Sequence, residues 1–103
     1  MSEPPLAAGA TLVAGEALLA VTLDVAGGRL VIDFERTRIE ACELVATTLL
    51  APWDGARGVA EWLRVEAVQG GETCLELRMR FTTVPRHYRI AARRITVSER
   101  PRG

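Results

Sequence analysis

Residues 73–90 read TCLELRMRFTTVPRHYRI, and their alternation decides the fold. Leu75, Leu77, Met79 and Phe81 alternate with Glu76, Arg78 and Arg80, and the pattern resumes beyond Pro85, with Tyr88 and Ile90 set against His87 and Arg89. Apolar residues at a period of two give an extended chain one oily side and one charged side, so this stretch predicts a half-buried antiparallel hairpin with an Arg-rich outer surface. A turn through Thr83-Val84-Pro85-Arg86 sets Phe81 opposite Tyr88, Met79 opposite Ile90 and Arg80 opposite Arg89, the last an unfavourable like-charge pair. Glu76 then lies between Arg64 and Arg93. Beyond Ala92 the apolar set moves from even to odd positions, at Ile95 and Val97, which predicts a bulge near Arg93-Arg94.

Upstream of this hairpin, Val59 to Val68 forms the preceding strand, joined through Gln69-Gly70-Gly71-Glu72. Charge selects the register. Pairing Val65 with Leu75 and Leu63 with Leu77 puts Arg64 against Glu76 and Trp62 against Arg78, whereas a slip by two residues puts Arg64 against Arg78 and Glu66 against Glu76. Opposite charges across a strand pair are favourable by about 0.2–1 kcal/mol and like charges unfavourable, so the first register is expected, with a three-residue loop at 69–71 and Trp62 lying across Arg78.

An earlier hairpin alternates Leu19, Val21, Leu23 and Val25, then Leu30, Ile32 and Phe34, around Ala26-Gly27-Gly28-Arg29. With Gly27-Gly28 as a two-residue turn, Val25 meets Leu30, Leu23 meets Ile32 and Val21 meets Phe34. Residues 36–53, RTRIEACELVATTLLAPW, fit two templates. Ile39, Cys42, Ala46, Leu49 and Leu50 make a helical stripe, while Ile39, Ala41, Val45 and Leu49 with Thr47 and Thr48 make a strand ending at the turn Pro52-Trp53-Asp54-Gly55. The β-branched content and the neighbouring hairpins favour the strand.

Hairpins at this spacing imply an all-β antiparallel meander of about six strands, forming a small barrel or a two-layer sandwich. The alternative is α+β, with one helix at about 38–50. A chain of 103 residues suits a single domain. We expect residues 1–15 to be a flexible N-terminal tail or edge with at most a short strand at 10–13, residues 16–99 to be the β domain, and residues 100–103 to be a C-terminal tail.

All 13 basic residues are Arg and none is Lys, a bias that fits the codon usage of a GC-rich bacterial genome. Formal net charge is zero, but residues 1–72 carry 11 acids and 5 Arg while residues 73–103 carry 2 acids and 8 Arg. This asymmetry lets an acidic and a basic surface meet within the fold, meet between copies, or leave a basic strip for a polyanion. The two cysteines, Cys42 and Cys74, with a single imidazole, His87, do not make a zinc site or a disulfide framework and are expected to be free thiols. The N-terminus lacks basic residues before Arg29, and its strongly apolar run at 17–23 is far shorter than a membrane span, so a cytoplasmic protein is expected.

The sequence offers little chemistry. Without Lys there is no Walker-type phosphate loop, and a nucleophile would lack a base other than His87. Asp24, Asp33 and Glu35 share the outer side of the first hairpin, as hard-cation ligands or, more simply, as a solvated acidic face. We expect neither an enzyme nor a cofactor. The candidate binding residues are Trp62, Arg78, Arg80, Arg86, His87 and Arg89, a positive strip with an aromatic platform, unless Glu61, Glu66 and Glu76 neutralise it on folding. The expected role is a non-catalytic protein-interaction or assembly module, a homo-oligomer using complementary acidic and Arg-rich surfaces. The alternatives are a single-stranded nucleic-acid-binding module and a small-ligand-binding barrel.

Overall fold

The computed structural model describes residues 7–49, 58–81 and 84–99. Among these residues there is no helix, and seven antiparallel strands run in chain order: β1 (Thr11–Val13), β2 (Glu16–Asp24), β3 (Arg29–Phe34), β4 (Thr37–Thr47), β5 (Val59–Gln69), β6 (Glu72–Phe81) and β7 (Val84–Glu99). The segment open to a helical reading is therefore strand β4. The expected Pro52 turn, the start of the N-terminal tail and the 100–103 tail lie outside the described residues.

The spatial order is β1-β5-β2-β3-β4-β7-β6, with β6 also pairing β5. That last pairing closes β5, β2, β3, β4, β7 and β6 into a ring, a small barrel in which strand edges are largely consumed. β1 and β2 share one edge of β5, at Thr11↔Arg64 and Val13↔Leu63 for β1 and at Glu16↔Ala60 and Ala17↔Val59 for β2. They act as one interrupted strand. The break falls at Gly15, whose φ of 71° favours glycine and whose N–H donates to the Ala60 carbonyl. The order is not that of a single meander, because two three-stranded meanders, β2-β3-β4 and β5-β6-β7, are joined at the β4–β7 and β2–β5 seams.

The β5–β6 register is the one that charge selects: Val65↔Leu75, Arg64↔Glu76, Leu63↔Leu77 and Trp62↔Arg78. Its loop is shorter than expected. A shift between Val65 and Ala67 brings Gln69 opposite Glu72 and leaves Gly70-Gly71 as the turn, at φ 59° and 80°. In the first hairpin Val21 pairs Ile32 and Leu23 pairs Leu30, two residues from the expected register. The cause is Asp24, whose carboxylate accepts the Gly27 N–H at 3.0 Å and so turns the chain over four residues, Val25 to Gly28, leaving Val25 80% exposed. A bulge at Leu19, between Leu18↔Phe34 and Ala20↔Asp33, makes Glu16, Leu18 and Val21 the buried positions of β2 and turns Leu19 outward.

The β6–β7 hairpin is tighter than expected by four residues, with Leu75↔Ile90, Leu77↔Tyr88 and Phe81↔Val84. Arg80 accordingly faces Pro85, and it is Arg89 that meets Glu76, so the like-charge pair does not form. The change of inward parity along β7 is present, since Ile90 and Ala92 are buried before it and Ile95 and Val97 pack on the core after it. No residue is added at Arg93-Arg94. β4 changes parity alongside at Glu43, which adopts φ 53°, and the register irregularity lies on that partner strand between Leu44 and Ala46.

Both meanders fill one interior. Leu30, Ile32 and Phe34 of β3 are fully buried, as are Leu63 of β5 and Leu75, Leu77 and Met79 of β6, with Ile39 and Ile90 across the β4–β7 seam. Full burial of each such side chain stabilises the fold by about 1.5–3 kcal/mol.

Candidate interaction surface

Alternation within β5, β6 and β7 turns Trp62, Arg64 and Glu66, then Glu76, Arg78 and Arg80, then His87 and Arg89 to the outer side of the barrel. Five of the six expected binding residues are brought together there. Arg86 falls on the other parity, opposite Met79, and is exposed outside the strip.

These cations are not a bare row. Glu61 holds two of them: Arg80 Nε donates to Oε1 at 2.6 Å, and Arg78 Nε is buried 2.9 Å from Oε2, in a contact that is ionic rather than a hydrogen bond. Glu76 approaches Arg64 at 3.7 Å and His87 Nδ1 at 3.2 Å, and Glu66 meets Arg89 at 3.4 Å. The backbone of Arg89 is fixed from just beyond β4, where Thr48 Oγ1 accepts its N–H at 2.8 Å and the Thr48 N–H donates to its carbonyl at 2.9 Å. Four guanidiniums thus mix with three carboxylates, leaving one net positive charge with His87 neutral.

Trp62 lies half-buried within this lattice. The guanidinium stacked on it is Arg64, 3.9 Å from the ring centroid, not its cross-strand neighbour Arg78, and His87 approaches edge-on at 6.1 Å and 69°. Residues two apart on a strand share a side, so the Trp62–Arg64 spacing already carried this signal. Val59, 45% exposed, lies at one end of the face, and Ala67, Cys74 and Ala91, opposed in register, form an uncharged row at the other.

The outer side of β2-β3-β4 is arranged differently. Arg38 Nε donates to Asp33 Oδ1 at 2.7 Å, and that hydrogen bond and charge push its guanidinium pKa further above its already high ordinary value. Arg29 pairs with Glu40 at 2.9 Å. Glu35 accepts the Ala17 N–H at 2.7 Å, and buried Glu16 accepts the Arg36 N–H at 2.7 Å and the Thr37 hydroxyl at 2.9 Å. Asp24, Asp33 and Glu35, the hard-cation alternative, are thus engaged in a turn, an ion pair and the junction of β2 with the β3–β4 connection. No group of three or more His, Cys, Asp or Glu suited to a metal occurs among the described residues. A depression of about 360 Å³ opens on this side between Thr22, Asp24, Arg29, Val31, Asp33 and Arg38. Cys42 and Cys74 are both free thiols, and among the described residues no helix is long and apolar enough to cross a membrane.

Comparison with protein-family models, curated proteins and solved structures finds no match to this chain.

Proposed function

We propose that the protein is a non-catalytic assembly module whose copies associate through the outer face of β5-β6-β7. The observation that carries this reading is Trp62 itself, a large half-buried ring on the outer side of the barrel, braced by Arg64 and His87. Tryptophan and arginine dominate interface energetics, and a ring already held in place loses little freedom on docking. The charge lattice favours a second copy as the occupant. A face of one sign repels itself across a two-fold axis, whereas a face carrying Glu61, Glu66 and Glu76 among its arginines offers both signs to an identical partner. The chain as a whole has no net charge to keep copies apart.

Sedimentation velocity over a concentration series tests the proposal. A reversible dimer is expected, weakened by Trp62→Ala by about 2 kcal/mol or more, roughly thirtyfold in Kd. A monomer at every concentration contradicts it. The competing occupant is a single-stranded nucleic acid, with Trp62 as a stacking platform. Against it, Glu61 and Glu66 occupy Arg78, Arg80 and Arg89. Retention of an oligonucleotide at low salt, lost on Arg80→Glu, would replace the assembly reading. The interior offers a small ligand little polar purchase, because its central positions on β3, β5 and β6 are closed by apolar side chains.

A further inference from the structure

We infer that His87 is a proton switch for this face, weakening association between copies when it becomes charged; the regulatory half of this inference rests on the assembly reading above. His87 is the one imidazole of the chain and half-exposed, so solvent protons reach it. Histidine is the side chain that changes charge between about pH 5 and pH 8. Its surroundings make that change count. From β6 it faces Glu76 at 3.2 Å and has Arg78 as its register partner, with Arg80 one outward position further along. From β5 it faces Trp62, on whose ring Arg64 is stacked, while Glu61 draws Arg78 and Arg80 to itself. On β7 its flanking cations are Arg86 and Arg89.

Two consequences follow when the imidazole gains a proton. Its contact with Glu76 becomes an ion pair, so Glu76 is shared between His87 and Arg64, the cation that braces Trp62. The face also rises from one net positive charge to two. Between two identical faces this quadruples the product of the net charges, and a single His supplies a repulsion that none of the arginines can switch.

The test joins a spectroscopic readout, which needs no association, to a binding one. Indole emission is followed from about pH 8 to about pH 5, the range in which histidine side chains change charge. A sigmoidal change is expected in the native chain, absent in His87→Gln and absent in Trp62→Phe. Sedimentation at the two ends of that range is expected to give a Kd roughly threefold to tenfold weaker at the acid end, from exposed charges of ordinary strength. His87→Gln should lose this dependence, and His87→Arg should be weak at both ends. Flat emission, or a transition that persists in His87→Gln, overturns the switch at Trp62. A normal emission transition with a Kd independent of pH overturns its control of association. A monomer at the alkaline end overturns the assembly reading and its regulation together, and the emission titration then still decides whether His87 reports its charge to Trp62.

Discussion

The two meanders of this barrel spend their charges in different ways. On β2-β3-β4, Asp24 shapes a turn, Glu16 and Glu35 hold the junction of β2 with the β3–β4 connection, and Asp33 and Glu40 each take one arginine. On β5-β6-β7, one carboxylate serves two arginines at Glu61, another is shared by an arginine and a histidine at Glu76, and a tryptophan stands among them. The first arrangement serves the fold. The second leaves a pre-ordered face with one cation in excess. A charge count along the chain does not separate them, because Glu61 and Glu66 belong to the acidic segment by position yet lie on β5, beside the basic strands. The acidic β2–β3 hairpin does not pair with the basic β6–β7 hairpin, since β4 separates them on one side of the ring and β5 on the other.

The largest effect tests whether two dissimilar faces enclose one core. Phe34→Ala on β3 and Leu77→Ala on β6 remove fully buried side chains, and each should cost about 2–5 kcal/mol in denaturant unfolding, within a single transition. Two separated transitions would split the meanders into independent units. Next comes Glu16→Ala on the structural side. Losing an acceptor for the Arg36 N–H and the Thr37 hydroxyl should cost about 1–3 kcal/mol by the same measurement, and no change would remove the claim that these acids are spent on the fold. The smallest effect on stability belongs to Glu61→Gln, at about 0–1 kcal/mol, as for ion pairs at a protein surface. It should nevertheless delay elution from a polyanionic column, because it releases Arg78 and Arg80 together. Glu40→Gln releases only Arg29 and should delay elution less. An equal delay for both would erase the distinction between the faces.

Much of this was legible in the chain, and the gaps have local causes. Period-two patterning identified the hairpins, and where both signs of charge lie on facing strands, as at Arg64 and Glu76, it also selected the register. Pairings governed by a turn do not follow from alternation alone. Asp24 lengthens the first hairpin loop, while the β6–β7 turn closes further from Pro85 than the proline suggested. The bulge at Leu19 left no trace in an alternation that reads smoothly from Leu19 to Val25. Strand order was not legible, because it depends on ring closure between strands far apart in sequence. Of the candidate site, the same-strand neighbours Trp62 and Arg64 were within reach of pattern reasoning, and the pairing of Glu61 and Glu66 with the arginines was foreseeable as a choice between two outcomes. The placement of Arg86 depended on the hairpin register and moved with it.

The claim that β5-β6-β7 is the working face is tested most directly by following backbone amide resonances while the protein is diluted. The account predicts concentration-dependent shifts clustered on Trp62, Arg64, Arg78, His87 and Arg89, with Thr22, Val31 and Arg38 on the opposite meander unmoved. Shifts centred on β2-β3-β4, or none at any concentration, would contradict it.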